Sequence, residues 1–175
     1  MPSGKTHDTI TIVLAAPTFV VAWMATRSLW LAALATCAML FGGLMFGPDL
    51  DTQSVQYKRW GVFRFFWFPY RVLIKHRSRW SHGLLCGTLI RVIYFSLVLA
   101  LVAALGVYLR AVFISQAPFD WNELAQAWQA IEAAFAESVG RRAVWVALVG
   151  VWWGAATHTL TDVVWSMLRK SSEIF

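Results

Sequence analysis

Phe46-Gly47-Pro48-Asp49-Leu50-Asp51 opens a stretch that closes at His76-Arg77-Ser78-Arg79-Trp80-Ser81-His82-Gly83. Between them an aromatic and basic run, Tyr57 to Lys75, sets Trp60, Phe63, Phe65, Phe66, Trp67, Phe68 and Tyr70 against Lys58, Arg59, Arg64, Arg71 and Lys75. That many charges exclude a bilayer span. Rings at headgroup depth with cationic tips in water fit an interfacial segment instead, and Pro69 is expected to break it in two. The stretch reads as a loop on a membrane surface, residues 47–83, and the sequence on either side supplies the spans.

Upstream, the chain is uncharged from Ile10 to Ala25, with Pro17 as a kink, and again from Leu29 to Phe46. Each run is near the ~17–25 residues a spanning helix needs. The short turn Thr26-Arg27-Ser28 folds the two into an antiparallel hairpin, and Gly42-Gly43 and Gly47-Pro48 are expected to weaken and end the second helix. Downstream, an apolar run from Leu84 continues past Arg91 to Ile114, with Arg91 expected to snorkel to the interface. Pro118 marks a turn. Asp120 to Glu123 has capping-box spacing, after which Trp121, Leu124, Trp128, Ile131 and Phe135 recur at helical steps. That stripe reads as packing against the bundle or the membrane surface. A last run, Ala143 to Leu168, contains His158 and Asp162.

Composition agrees: 59% of residues are hydrophobic and 14% charged, with eleven tryptophans and a mean hydropathy of +0.59, against roughly 25% charged in soluble domains. The fold class is therefore all-α, an integral membrane helical bundle with about four transmembrane helices (9–26, 29–46, 88–114 and 143–168) and an amphipathic helix at 120–138. Residues 1–175 read as one membrane domain. The net charge of +6 is interleaved with Phe, Trp and Leu, which points to anionic lipid headgroups and away from nucleic acid. Cys37 and Cys86 read as small buried hydrophobes. No signal-peptide pattern precedes the first run, which is expected to remain as a helix. Basic residues crowd the loop 47–83, the tail at Arg169-Lys170 and Lys5, so the positive-inside rule places both termini and the loop in the cytoplasm.

With that topology, His7, Asp49, Asp51, His76, His82, His158 and Asp162 all fall at the cytoplasmic ends of their helices. His158 and Asp162, four residues apart, share a helix face. Taken singly, each has a bland reading: a helix-tying hydrogen bond, a turn carboxylate, a solvated histidine. Their convergence is what indicates metal. Imidazole and carboxylate without thiolate suit a divalent transition metal, zinc ahead of manganese or iron. Seven candidate ligands exceed the four of a tetrahedral site, leaving one or two ions open. Ser3-Gly4-Lys5-Thr6 lacks the upstream glycine of a phosphate loop, and Ser78 and Ser81 sit in no nucleophile elbow, so capping or support of a ligand fits them better.

Ser3 to Asp8, Phe46 to Thr52, Tyr57-Lys58-Arg59-Trp60-Gly61, His76-Arg77-Ser78 and Ser81-His82-Gly83 together resemble an uncharacterised, cyanobacteria-rich bacterial family labelled as metal-binding membrane proteins. The pattern is also similar, remotely, to membrane-bound metal-dependent hydrolases. These pair an N-terminal His with Pro-Asp-x-Asp, His-Arg, Ser-His and a late His-x-x-x-Asp, matched here by His7, Asp49 with Asp51, His76 with Arg77, Ser81 with His82, and His158 with Asp162. The last pair also has a weaker likeness to zinc-dependent phospholipase C.

Together with the resemblance, the site points to a metal-dependent hydrolase at the cytoplasmic face of a bacterial inner or thylakoid membrane, acting on a phosphoester, a lipid phosphoester foremost, with an amide or peptide bond left open. Arg77 and Arg79 would stabilise phosphate charge, and Asp8 or Asp51 would accept a proton. The rival is a non-catalytic metal-binding scaffold, assembly factor or subunit, for which a membrane-protein partner or a second copy of the chain would cover the exposed aromatics. A transporter ranks below both, since the polar residues cluster at one end instead of mid-membrane.

Overall fold

The computed structural model describes residues 2–76, 78–115 and 120–172, and among them every regular element is helical. Four helical segments are long and apolar enough to cross a membrane: Gly4–Thr26, Leu29–Asp51, Cys86–Ile114 and Arg141–Ser171. Contacts divide the chain into two compact units, Met1–Arg91 with Trp145–Phe175, and Val92–Val144.

In the first unit, α1 (Gly4–Val13) begins earlier than expected, because the Ser3 side chain caps it by accepting from the Thr6 N–H at 3.3 Å. His7 and Asp8 therefore lie on the helix and not ahead of it. The chain is interrupted at Leu14 and resumes as α2 (Ala15–Thr26). Pro17 has no N–H for the Val13 carbonyl, which accounts for the break. Arg27 adopts a left-handed φ of 53° and Ser28 caps α3 (Leu29–Leu44), which closes the hairpin.

Gly42 and Gly43 lie in the last turn of α3, which ends at Leu44. They are buried mid-contact, where α3 meets α9 (Arg141–Ser172) so closely that a Cβ on Gly42 or Gly154 would overlap the Val151 or Met39 carbonyl. Without side chains the two backbones touch, as small residues allow between membrane helices.

After α3 come a 3₁₀ turn (Pro48–Asp51), α4 (Val55–Arg59), a 3₁₀ segment (Gly61–Trp67), α5 (Phe68–Leu73), which carries Pro69 in its first turn, and α6 (Arg79–His82). The aromatic run is only partly interfacial. Phe63, Phe65 and Phe68 stay exposed, whereas Trp67 and Tyr70 are buried. Trp67 packs edge-on against Phe46, Trp60 and Tyr70, with centroids 5.3–5.6 Å apart. Such pairs add ~0.5–1.5 kcal/mol each beyond area burial, enough to fold the loop into a cap of its own. Burial pushes the Tyr70 phenol above its usual pKa, against the opposing pull of Arg91.

Arg91, near the start of α7 (Cys86–Arg110), does not snorkel: it is 1% exposed and donates to the Ser81 carbonyl at 2.8 Å and the Thr88 hydroxyl at 3.1 Å. A polar interior so near the helix end offers the guanidinium better partners than the interface does. Cys37 and Cys86 are exposed on the protein surface, not buried.

The second unit holds the rest of α7, a π-helical turn (Ala111–Ser115), α8 (Trp121–Val139) and the start of α9. Asp120 caps α8 through the Asn122 N–H at 2.8 Å, while Glu123 pairs with Arg110. Trp121, Trp128 and Ile131 remain exposed. The turn expected at Pro118 lies outside the described residues.

Candidate metal centre

The 3₁₀ turn positions two of the acids. At three residues per turn, Asp49 and Asp51 leave it in different directions around a buried Leu50. The Asp49 carbonyl accepts from the Ser54 hydroxyl at 2.8 Å and the Thr52 hydroxyl at 3.2 Å, which pins the backbone beneath its side chain.

Asp49 Oδ2 lies 3.4 Å from His158 Nε2, and its Oδ1 lies 3.5 Å from His82 Nε2. Asp51 Oδ1 meets His76 Nδ1 at 2.8 Å, and its Oδ2 lies 3.8 Å from His82 Nδ1. On α1 and α9, His7 Nε2 is 3.3 Å from Asp162 Oδ1, and Asp162 Oδ2 is 3.9 Å from His158 Nε2. The His7 and His158 rings stack with centroids 3.7 Å apart. All seven residues that the sequence nominates as ligands thus come together. Six of them form two groups, His7 with His158 and Asp162, and Asp49 with His76 and His82, and within each group one ligand atom per residue lies within 4.8 Å of the others; Asp51 stands beside the second group through His76 and His82.

The other nominated residues fare differently. Both carboxylate oxygens of Asp8 are engaged by Arg59, which also donates to the Leu44 carbonyl at 2.8 Å. This fork ties α1 to α4 and raises the Arg59 pKa. Arg77 and the side chain of Arg79 lie outside the described residues.

Three further residues support the ligands: sequence reasoning missed Gln56 and Arg91, whereas for Ser81 it expected capping or support of a ligand. Gln56 donates to the Gly43 carbonyl at 2.7 Å, and its amide nitrogen lies 3.3 Å from His158 Nδ1, which holds that ring with Nε2 toward the carboxylates. Arg91 brings a buried positive charge near Asp51 and Asp49. Ser81, buried, places its hydroxyl 2.9 Å from His82 Nδ1 and within 3.3 Å of the Lys75 and Ser78 carbonyls. Neither Gln56 nor Arg91 stands in a motif, so nothing in the linear pattern marks them.

The Ser81 network bears on whether a metal fits. With its own proton directed to those carbonyls, Ser81 accepts from His82 Nδ1–H, a tautomer assigned from the network. His82 Nε2 then turns a lone pair toward Asp49 Oδ1, two acceptors facing each other. The buried His82 Nε2, His7 Nδ1, Asp51 Oδ2 and both Asp162 carboxylate oxygens have no hydrogen-bond partner. Buried polar atoms left in this way are costly. Three carboxylates and four imidazoles around them form a donor set suited to divalent transition metals. The residues fit a bound cation.

Fold and cluster define a class: an all-helical chain with four apolar helices of membrane-crossing length and clustered metal-type His and Asp side chains. Residues 2–172 match the family described as Uncharacterized metal-binding protein (DUF2227), and the chain belongs to that family. No curated protein and no solved structure matches it.

Ser81→Ala removes the acceptor that orients His82 while sparing every nominated ligand. Metal affinity is expected to weaken 10- to 100-fold, the usual cost of losing such a support, measured by competition with a chromogenic chelator. Unchanged affinity would mean that Ser81 does not orient His82.

Proposed function

We propose that the protein is a metal-dependent hydrolase of phosphoesters, lipid phosphoesters foremost, at the cytoplasmic face of a bacterial membrane, with zinc the first candidate metal and both termini on that face. The observation that carries this reading is the gathering of four histidines and three aspartates with unpartnered lone pairs, partly open at His76 and Asp49. A divalent ion supplies Lewis acidity and lowers the pKa of water it holds towards ~7.

The chain's residues supply the rest. Asp51 Oδ2, without a hydrogen-bond donor, accepts the proton released by water, while Asp8 is committed to Arg59. Arg77 and Arg79, beside His76 in sequence, keep the phosphate-binding role that the sequence assigns them.

Two apolar clefts favour a lipid. One of about 510 Å³ is lined by residues including Pro17, Val21, Ala25, Trp145, Val149 and Trp153. Another, of about 280 Å³, shares Leu14 and Trp153 with it and reaches Thr6, Thr157 and Thr161, neighbours in sequence of the clustered residues. Acyl chains laid along these clefts would bring the headgroup to the cluster.

The test is phosphate release from phosphatidate, phosphatidylglycerol and water-soluble phosphoesters by protein reconstituted in anionic vesicles. Wild type is expected to turn over at least one lipid, and Asp51→Asn to lose 10²–10⁴-fold in rate. Metal-loaded protein inert towards every phosphoester sinks the reading and leaves the metal-binding scaffold.

A further inference from the structure

We propose that the cluster seats two ions that share Asp49, an inner one held by His7, His158 and Asp162 and an outer, exchangeable one held by His76 and His82 with Asp51 beside them. The inference rests on the metal-centre reading above and extends it to the number and inequality of the ions.

Asp49 is the hinge of the argument. Its two oxygens face different groups, Oδ2 towards His158 at 3.4 Å and Oδ1 towards His82 at 3.5 Å. A carboxylate turned both ways between two groups of His and Asp side chains is placed to bridge. A single ion would leave one of the two groups unfilled.

The inner group gains a fourth donor from Asp49 Oδ2, which completes a tetrahedral count from protein alone. The outer group has His76, His82 and Asp49 Oδ1, with Asp51 Oδ1 taken up by His76, and so keeps room for a non-protein ligand. Charge points the same way. Three carboxylates meet here, and one divalent ion plus the nearby Arg91 guanidinium only matches their charge before any phosphate arrives. A second ion turns the site positive, which an anionic substrate requires.

The two seats differ in access. Side-chain exposure is 6% for His7, 3% for His158 and 14% for Asp162, against 40% for His76 and 14% for His82, so the outer seat opens at His76. His7 and His158 cover the inner seat, whereas the outer one meets solvent at His76. Their release rates must therefore differ.

The experiment loads the full chain in mild detergent with Mn(II) or Zn(II). Metal content is followed during exposure to excess EDTA, and the EPR spectrum of the Mn(II) form is recorded. Expected are two equivalents per chain, a fast and a slow phase of release that differ at least tenfold in rate, and an exchange-coupled Mn(II) signal. His76→Ala is expected to lose the fast phase alone. Asp49→Asn, close in shape, is expected to lose the coupled signal even if metal remains.

One equivalent leaving in a single phase, or two equivalents with uncoupled spectra, overturns the two-ion bridge without touching the hydrolase reading. Two coupled equivalents in protein that hydrolyses no phosphoester support the bridge while the hydrolase reading fails. The wild-type release curve and spectrum decide the matter even if a variant does not fold.

Discussion

Gly154→Ala is expected to destabilise the protein and empty its metal centre, whereas Gly106→Ala leaves both intact. In a helix interior the exchange ordinarily gains ~0.5–1 kcal/mol from the reduced freedom of the unfolded chain. At Gly106 a Cβ meets nothing within 4 Å, so that gain should be realised. At Gly154 the Cβ would overlap the Met39 carbonyl and press on the Gly43 N–H at 2.6 Å. Both obstacles are backbone, so no rotamer change relieves them, and α3 and α9 have to part. Overpacking of this kind costs ~1–3 kcal/mol or more, which reverses the sign of the exchange.

The consequence for metal follows from register. His158 is one turn beyond Gly154 on α9, and its ring is held by Gln56, itself anchored to the Gly43 carbonyl. Parting the helices moves His158 away from Asp49. Thermal unfolding in detergent and metal content by elemental analysis measure the two effects. Wild-type values for Gly154→Ala would mean that the glycine contact does not set the site.

The same contact shows what was legible in the sequence. Charge-free runs and the Thr26-Arg27-Ser28 turn mark the apolar helices because length and charge alone decide whether a helix suits a bilayer. His158 and Asp162 read correctly as one face because helical period is local. Gly42-Gly43 was read only as a weak point in the helix: propensity is local, but a buried glycine is chosen by the helix that packs on it. Gly150-x-x-x-Gly154 on α9 was the signal that would have shown this.

Arg91 and Gln56 were illegible for the related reason that a polar residue's partner is fixed by tertiary contact. Arg91 answers to the Ser81 carbonyl ten positions away, and Gln56 to His158, from which it is separated by 102 positions. The gathering of His7, Asp49, Asp51, His76, His82, His158 and Asp162 was foreseeable only through topology, since nothing but a shared helix end links them in the chain. Ser3 was the missed local signal. Its cap starts α1 early enough to put His7 inside the protein.

Metal removal is the second large effect. Stripped of cations, the centre holds three carboxylates among four imidazoles, with five buried nitrogen and oxygen atoms on His7, Asp51, His82 and Asp162 left without hydrogen-bond partners. An ion that binds the folded protein and not the unfolded chain would stabilise the fold by RT ln(1 + [L]/Kd), about 4 kcal/mol at a thousandfold excess over Kd. Chelation is expected to lower the unfolding temperature, and added zinc or manganese to restore it.

Magnesium and calcium, which prefer all-oxygen ligands, should restore it poorly against four imidazoles. The slope carries more information than the size. Above saturation, each tenfold rise in free metal adds about 1.4 kcal/mol per ion bound, so a shared centre with two ions approaches twice the slope of a centre with one. His76→Ala, which alters the exposed edge of the cluster, should return the slope to that of one ion. Stability indifferent to chelator and to every added metal would mean that the convergent His and Asp side chains hold no ion, and that their opposed lone pairs are satisfied by protons and water.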